Sequence, residues 1–169
     1  MKHSILKKVK RKLGLFFINT FFCGTHAFGV KRLLLKFAGI SVGSCSKIVG
    51  PIKIGTVASL KIGENVFINH DFNIEGNGSV IIGARVAIGP NVRILTGSHL
   101  IGTSSMRAGE GLDLNVIIED GCWVGASTNI LGCKIESGSV VGCCALVNKD
   151  VPSDVLVGGI PAKFIKNLD

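Results

Sequence analysis

Four histidines, six cysteines and one tryptophan have the widest chemical range in this 169-residue chain, and their spacing narrows what they can do. The cysteines (Cys23, Cys45, Cys122, Cys133, Cys143 and Cys144) include no CxxC pair, and the histidines complete no zinc pattern. Vicinal Cys143 and Cys144 rarely bridge, so the thiols read as buried small residues in a reducing cytosol. His99 is different. It opens a segment rich in Gly, Ser and charge, from Thr96 to Val116, and an imidazole that changes charge near neutral pH suits a general base. In the same segment lie Arg107 and Glu110, the latter in AGEG, thirteen residues before Trp123. Such a carboxylate binds hydroxyls, orients the imidazole, or is merely solvated. Upstream, Asn69 and Asp71 stand in FINHDF, and an Asn just after an aliphatic corner also tolerates left-handed backbone.

The elements that must hold these residues come from a repeat. Val42, Ile48, Ile54 and Leu60 are six apart, as are Ile62, Ile68, Ile74 and Val80; Ile82, Ile88 and Ile94 follow after a two-residue offset. The period resumes at Ile118, Val124 and Ile130, then at Ile135, Val141 and Val147, so seventeen positions are all aliphatic. Small or β-branched residues recur four later: Val66, Val86, Val92, Thr128, Ser139 and Ala145. Neither a 3.6-residue helical period nor simple alternation produces a strict six, whereas a short strand plus a tight corner does. The sequence therefore predicts an all-β parallel solenoid, its aliphatic residues pointing inward. The general crossover rule favours right-handed coils. The one long interruption, about 96–116, predicts an extruded loop. Trp123 precedes an inward Val124 and so points outward, as a contact surface. The five-residue step from Ile130 to Ile135 reads as a shortened corner.

Hydrophobic residues make up 47% and charged residues 18%, with mean hydropathy +0.50, which excludes a disordered chain. Twelve Lys/Arg and no acid precede Glu64, while from Glu64 onward there are seven basic and eleven acidic residues. Residues 1–40 thus form a basic, apolar arm, read as short helices, including VKRLLLKFAGI. The uncharged run Leu13–Val30 approaches the length of a membrane span. Asn19, Thr20, Thr25 and His26 make it a poor one, and no A-x-A-like cleavage site marks it as a signal peptide. The arm's Phe residues suit a lipid surface better than phosphate tracking, so peripheral contact with the cytoplasmic membrane face is expected, and nucleic acid is not.

Three stretches, IGPNVRILTGSH, VIIEDGCWVGAS and VVGCCALVNKDVPSDVLVGGIPAKFIK, resemble the hexapeptide-repeat acyltransferases, and within them the sugar and polysaccharide O-acetyltransferases. The likeness runs from about Ile40 to Lys166, so residues 41–166 are the expected catalytic domain and C-terminal tail. The resemblance implies a left-handed β-helix, against the crossover rule, and a homotrimer with acetyl-CoA lying between subunits. It implies catalytic roles for His99 and Asn69, and acceptor contacts from Glu110, Trp123, Arg107 and Asp71. Gly125, Ala126 and Cys143 are expected to offer backbone groups to the pantetheine. Asn148, Lys149, Pro161, Lys163 and Lys166 are expected at the adenosine end. Ala126 stands where relatives often carry a hydroxyl, so an oxyanion donor there must be the main-chain N–H. The implied reaction is direct transfer to a hydroxyl of a cell-surface polysaccharide or its precursor, with His99 as base and no metal. Zinc-dependent carbonic anhydrases on this fold need three histidines, and the repeat region holds only His70 and His99. N-acetylation of an amino sugar and a scaffold without catalysis are the alternatives.

Overall fold

A computed structural model describes residues 2–55 and 59–169; Met1, the first residue of the predicted arm, and 56–58 lie outside the described residues. Each coil is a triangle of short strands. The first holds β1 (Ser41–Val42), β2 (Lys47–Ile48) and β3 (Ile52–Ile54), and the second β4 (Ser59–Ile62), β5 (Phe67–Ile68) and β6 (Phe72–Gly76). The third comprises β7 (Ser79–Ile82), β8 (Ala87–Ile88) and a long β9 (Arg93–Ile101), which folds back as β10 (Ala108–Asp113). After it come β11 (Val116–Ile118), β12 (Trp123–Val124) and β13 (Asn129–Leu131), then β14 (Lys134–Ile135), β15 (Val140–Val141) and β16 (Leu146–Val147). The chain closes on β17 (Val155–Gly158) and an antiparallel β18 (Lys163–Asn167).

Coil-to-coil pairing is parallel and stacks Val42, Ile62, Ile82, Ile118 and Ile135 in one column. Twenty residues separate the first two pairs, thirty-six the third and seventeen the last, so the extruded segment and the shortened corner are both absorbed without breaking register. All seventeen aliphatic repeat positions are buried. Each contributes about 1.5–3 kcal/mol, which makes the ladder the main stabiliser. The six small positions are buried too, and their hydroxyls are satisfied: Thr128 Oγ1 donates to the Gly125 carbonyl at 2.8 Å and Ser139 Oγ to that of Pro152. At the shortened corner Gly132, with φ +51°, brings Cys133 into the column position that Val80 and Val116 hold elsewhere.

The corners are built from stacked left-handed residues. Cys45, Asn65 and Arg85 form one column with Gly121, Gly138 and Asp154; Asp71, Asn91, Ser127 and Cys144 form the next. Each residue's N–H from Asn65 upward in the first column, and from Asp71 in the second, bonds to the coil below, as in Asn91 to the His70 carbonyl at 2.9 Å. Asn69 is not among them; its neighbour Asp71 takes the left-handed conformation instead. The solenoid is left-handed. Strands of two to four residues carry little twist, so the twist that makes crossovers right-handed has little to act on here.

One expectation changes. The arm's first helix is not short: α1 runs from Lys2 to Phe21, continuous through the basic run, and α2 covers Phe28–Phe37. Lys and Arg are good helix formers, and no Pro interrupts them. No helix among the described residues is long and apolar enough to cross a membrane. The extruded segment is present where expected, ordered as a hairpin in which β10 pairs with β9. The helices close the base of the solenoid. Ile18, Leu35 and Ala38 enter the core, and a Cβ on Gly14 would meet the Leu34 carbonyl at 2.8 Å, so glycine lets the two helices approach. Asn19 imitates a strand residue, donating Nδ2–H to the Ile52 carbonyl (2.8 Å) and accepting the Ile52 N–H (2.9 Å).

Candidate active site

The site residues fall on two parts of the molecule. One is the hairpin. Buried Thr96 ends the solenoid part of β9: its Oγ1 donates to the Glu75 carbonyl (3.0 Å) and accepts the Gly78 N–H (3.2 Å). Beyond it β9 overshoots the corner, and His99 pairs with Gly111 of β10. The register slips between Ala108 and Gly111, a bulge that contains Gly109 and Glu110. There the Gly109 carbonyl meets His99 Nδ1 at 2.9 Å. A carbonyl only accepts, so Nδ1 carries the proton and the neutral ring keeps its lone pair on Nε2. His99 lines a cleft of about 400 Å3 together with Asn77, Ser98, Leu112 and Asp113.

Glu110 is exposed and has no hydrogen-bond partner among the described residues; the backbone of its neighbour, not its carboxylate, orients His99. Arg107 spans the tip of the hairpin, donating from Nη1 to the Gly102 carbonyl at 3.2 Å. Asn77, Ser98 and Asp113 were not legible beforehand. They lie in corner and hairpin positions where nothing in residue type or period distinguishes them from solvated polar residues.

The second part is the corner after β5, β8, β12 and β15. Asn69, Gly89, Gly125 and Gly142 succeed one another there, each N–H donating to the next coil: Asn69 to the Ile88 carbonyl (3.0 Å), Gly89 to Val124 (2.8 Å), Gly125 to Val141 (2.8 Å). At about 4.8 Å per coil, Asn69 and Gly125 are about 10 Å apart on one ledge. Gly125 is required by closeness rather than by conformation, since a Cβ would come within 2.6 Å of the Cys143 nitrogen. The Ala126 and Cys143 N–H groups donate to no backbone carbonyl among the described residues, so the ledge presents open main-chain donors. Trp123 stands on its flank, 59% exposed. Asn69 accepts the His70 N–H on Oδ1 (2.8 Å), leaving Nδ2 without an acceptor among the described residues. Asp71 pairs with His70 Nδ1 at 2.7 Å.

Further along the solenoid, Asn148, Lys149, Pro152, Ala162 and Phe164 line a groove of about 220 Å3. Pro161 lies exposed in the turn before β18, and Lys163 and Lys166 are exposed on that strand. Phe164, 61% exposed, is a contact surface that the hexad period could not identify, because the closing hairpin leaves the repeat.

The thiols divide. Cys122 and Cys133 are buried, whereas Cys45, Cys143 and Cys144 are exposed, against the expectation that all would be interior. The corners turn 45, 143 and 144 outward. Burial pushes the Cys122 thiol up and that of Cys133 to about 11, Asp150 adding to the latter.

One chain does not unite the two parts. From Val92, beside the ledge, to His99 the strand climbs seven residues, about 23 Å at 3.3 Å each. Asn69, Trp123, Ala126 and Cys143 share the ledge; His99, Glu110 and Arg107 belong to the hairpin beyond the far corner.

The chain is similar to known proteins in sequence and in fold. No family model matches the chain. A provisionally named acetyltransferase of Schizosaccharomyces pombe is 31% identical over 139 residues, 82% of this chain and 67% of its own length. The galactoside O-acetyltransferase of Escherichia coli is 28% identical over 140 residues, 82% of this chain and 69% of its own. Among solved structures, the hexapeptide-repeat-containing acetyltransferase of Vibrio cholerae superposes with TM-score 0.84 at 28% identity, over 99% of this chain and 93% of its own. The same Vibrio protein complexed with acetyl coenzyme A gives TM-score 0.83, over 96% of this chain and 87% of that one. The chain belongs to the hexapeptide-repeat acetyltransferases.

Proposed function

We propose that this chain moves an acetyl group from acetyl-CoA to a sugar hydroxyl of a cell-surface polysaccharide or its precursor, by direct transfer. The observation that carries the reading is the His99–Gly109 bond, which fixes the tautomer with Nε2 free to take a proton. The ledge supports the rest: its open N–H groups at Ala126 and Cys143 fit the pantetheine and the charge that develops on the thioester oxygen. Acetyl-CoA supplies the activated acyl group. His99 removes the acceptor hydroxyl's proton, Asn69 Nδ2 holds the acceptor oxygen, and Trp123 flanks the acyl end. Asp71, Glu110 and Arg107 reach the acceptor's other hydroxyls. Lys149, Lys163 and Lys166 meet phosphates as point charges, with Phe164 beside Asn148 and Pro161 toward the adenine end.

Because His99 and Asn69 lie at different corners, a complete site needs the hairpin of one copy against the ledge of another, in a homotrimer. The enzyme works in the cytoplasm, peripheral on the inner membrane face. The test is thiol release from acetyl-CoA across a panel of sugars and glycan fragments. Acceptor-dependent release should fall about 10²–10⁴-fold in His99→Gln with acetyl-CoA binding retained. Undiminished turnover in the variant would remove His99 from the chemistry.

A further inference from the structure

The helical arm presents a surface that the acetyl transfer does not use. On α1, Leu13, Phe16, Phe17 and Phe21 are 43–60% exposed, and on α2 Leu33 and Phe37 are 68% and 48% exposed. The three α1 rings pack on one another, with centroids 5.8, 5.9 and 6.4 Å apart. Lys10 Nζ lies 5.7 Å from the Phe37 ring, so the outer faces of the two helices form one patch with bases along it.

The patch is held out rigidly. Ile18 is fully buried on the opposite side of α1, and Asn19 is bonded twice to Ile52. Buried Lys31 of α2 donates to the Gly24 and Ile48 carbonyls, fastening the link between the helices to the first coil. The rings therefore cannot fold back onto the body.

We infer that this patch docks the protein onto a bilayer containing anionic lipid, with the rings at the acyl boundary and the lysines at the headgroups. Charge selects this occupant. Lys7, Lys8, Lys10 and Lys12 of α1 and Lys36 of α2 are exposed and the arm holds no acid, so a second copy laid patch to patch would bring like charges together, whereas an anionic headgroup layer complements them. Aromatic rings beside lysines match the layering of the membrane interface, where one end of a side chain is apolar and the other wet.

Docking also orients the solenoid. Asn69 stands in the second coil, one removed from the arm, while Gly142 and Lys149 stand at the far end. The acceptor end of the ledge then faces the membrane and the nucleotide end faces away, so the acceptor is a lipid-linked glycan. That last step rests on the proposed function; the docking does not.

Flotation of the full chain with vesicles tests it. Wild type and His99→Ala should float equally with phosphatidylcholine vesicles containing phosphatidylglycerol, and only weakly with phosphatidylcholine alone or at high salt. The triple variant Phe16→Ser, Phe17→Ser, Phe21→Ser should partition roughly tenfold more weakly per ring lost, with its acetyl-CoA binding and its turnover on a soluble acceptor unchanged. Equal flotation of the triple variant, or equal binding to neutral vesicles, would overturn the inference. So would loss of self-association in the triple variant with no flotation of the wild type, which would make the patch an interface between copies. Activity on soluble sugars is read separately, so failure of the acetyltransferase reading leaves the docking result standing, and the reverse.

Discussion

At the scale of single residues, environment divides chemically identical side chains. Cys133 has its thiol pushed up to about 11, from an ordinary value of 9.0, by burial and by Asp150. A thiol pKa raised on folding adds stability that is complete below pH 9 and is lost as pH rises between about 9 and 11. The loss is about 2–3 kcal/mol. Denaturation followed across that window should show it, and Cys133→Ala, already less stable at neutral pH, should lack the alkaline step. Alkylation of the native protein at pH 8 should label Cys45, Cys143 and Cys144, and spare Cys122 and Cys133. Labelling of the buried pair without unfolding would contradict the packing. The same contrast separates the histidines: His70 faces a carboxylate on an exposed corner, while His99 is set by a backbone carbonyl. That carbonyl belongs to glycine, a residue with no side chain to announce a role.

At the scale of elements, the ledge and the arm depend on close approach. A Cβ on Gly89 would lie 2.7 Å from the Ala126 nitrogen and 3.0 Å from its Cα, both backbone atoms that cannot swing aside. Gly89→Ala should therefore cost about 1–3 kcal/mol and displace the Ala126 N–H. Acetyl-CoA affinity measured by calorimetry should fall in the folded variant, whereas wild-type affinity would mean that Ala126 is not a donor. In the arm, Lys31 is buried and burial lowers its amine's pKa, yet two carbonyls depend on it. Lys31→Met leaves both without a donor and should destabilise the arm by about 2–4 kcal/mol, read as earlier proteolysis of residues 1–40 with the solenoid intact. The hairpin makes the complementary point. Thr96 ends the regular coil, but the pairing of β10 onto β9 cannot be read from a run of Gly, Ser and charged residues, which lacks strand alternation.

At the scale of the whole molecule, the separation of His99 from Asn69 makes a prediction about assembly. If one copy supplies the base and its neighbour the ledge, His99→Ala and Asn69→Ala are each inactive alone. Mixed by refolding in equal amounts, they should regain about a quarter of wild-type activity, because one in four interfaces then pairs an intact His99 with an intact Asn69. No recovery in trimers shown to be mixed would place both residues in the same protomer's site.

The amino-acid order alone determined the solenoid, because burial in a coil of fixed period demands an aliphatic residue at every sixth place. Seventeen such residues leave little freedom, and the resemblance of the closing segments added the handedness. It also marked His99, as a histidine where the period fails, and put Trp123 on the outside through its phase. Three matters were decided only in the tertiary structure. The arm became one long helix and a short one, since charge opposes a membrane span but not a helix. His99 acquired its tautomer from a carbonyl brought across the hairpin by a one-register slip. The catalytic candidates were split between two corners of a triangle, because a residue's corner depends on how many residues each coil consumes. Those counts vary from seventeen to thirty-six here, and the register of hydrogen bonds between coils sets them.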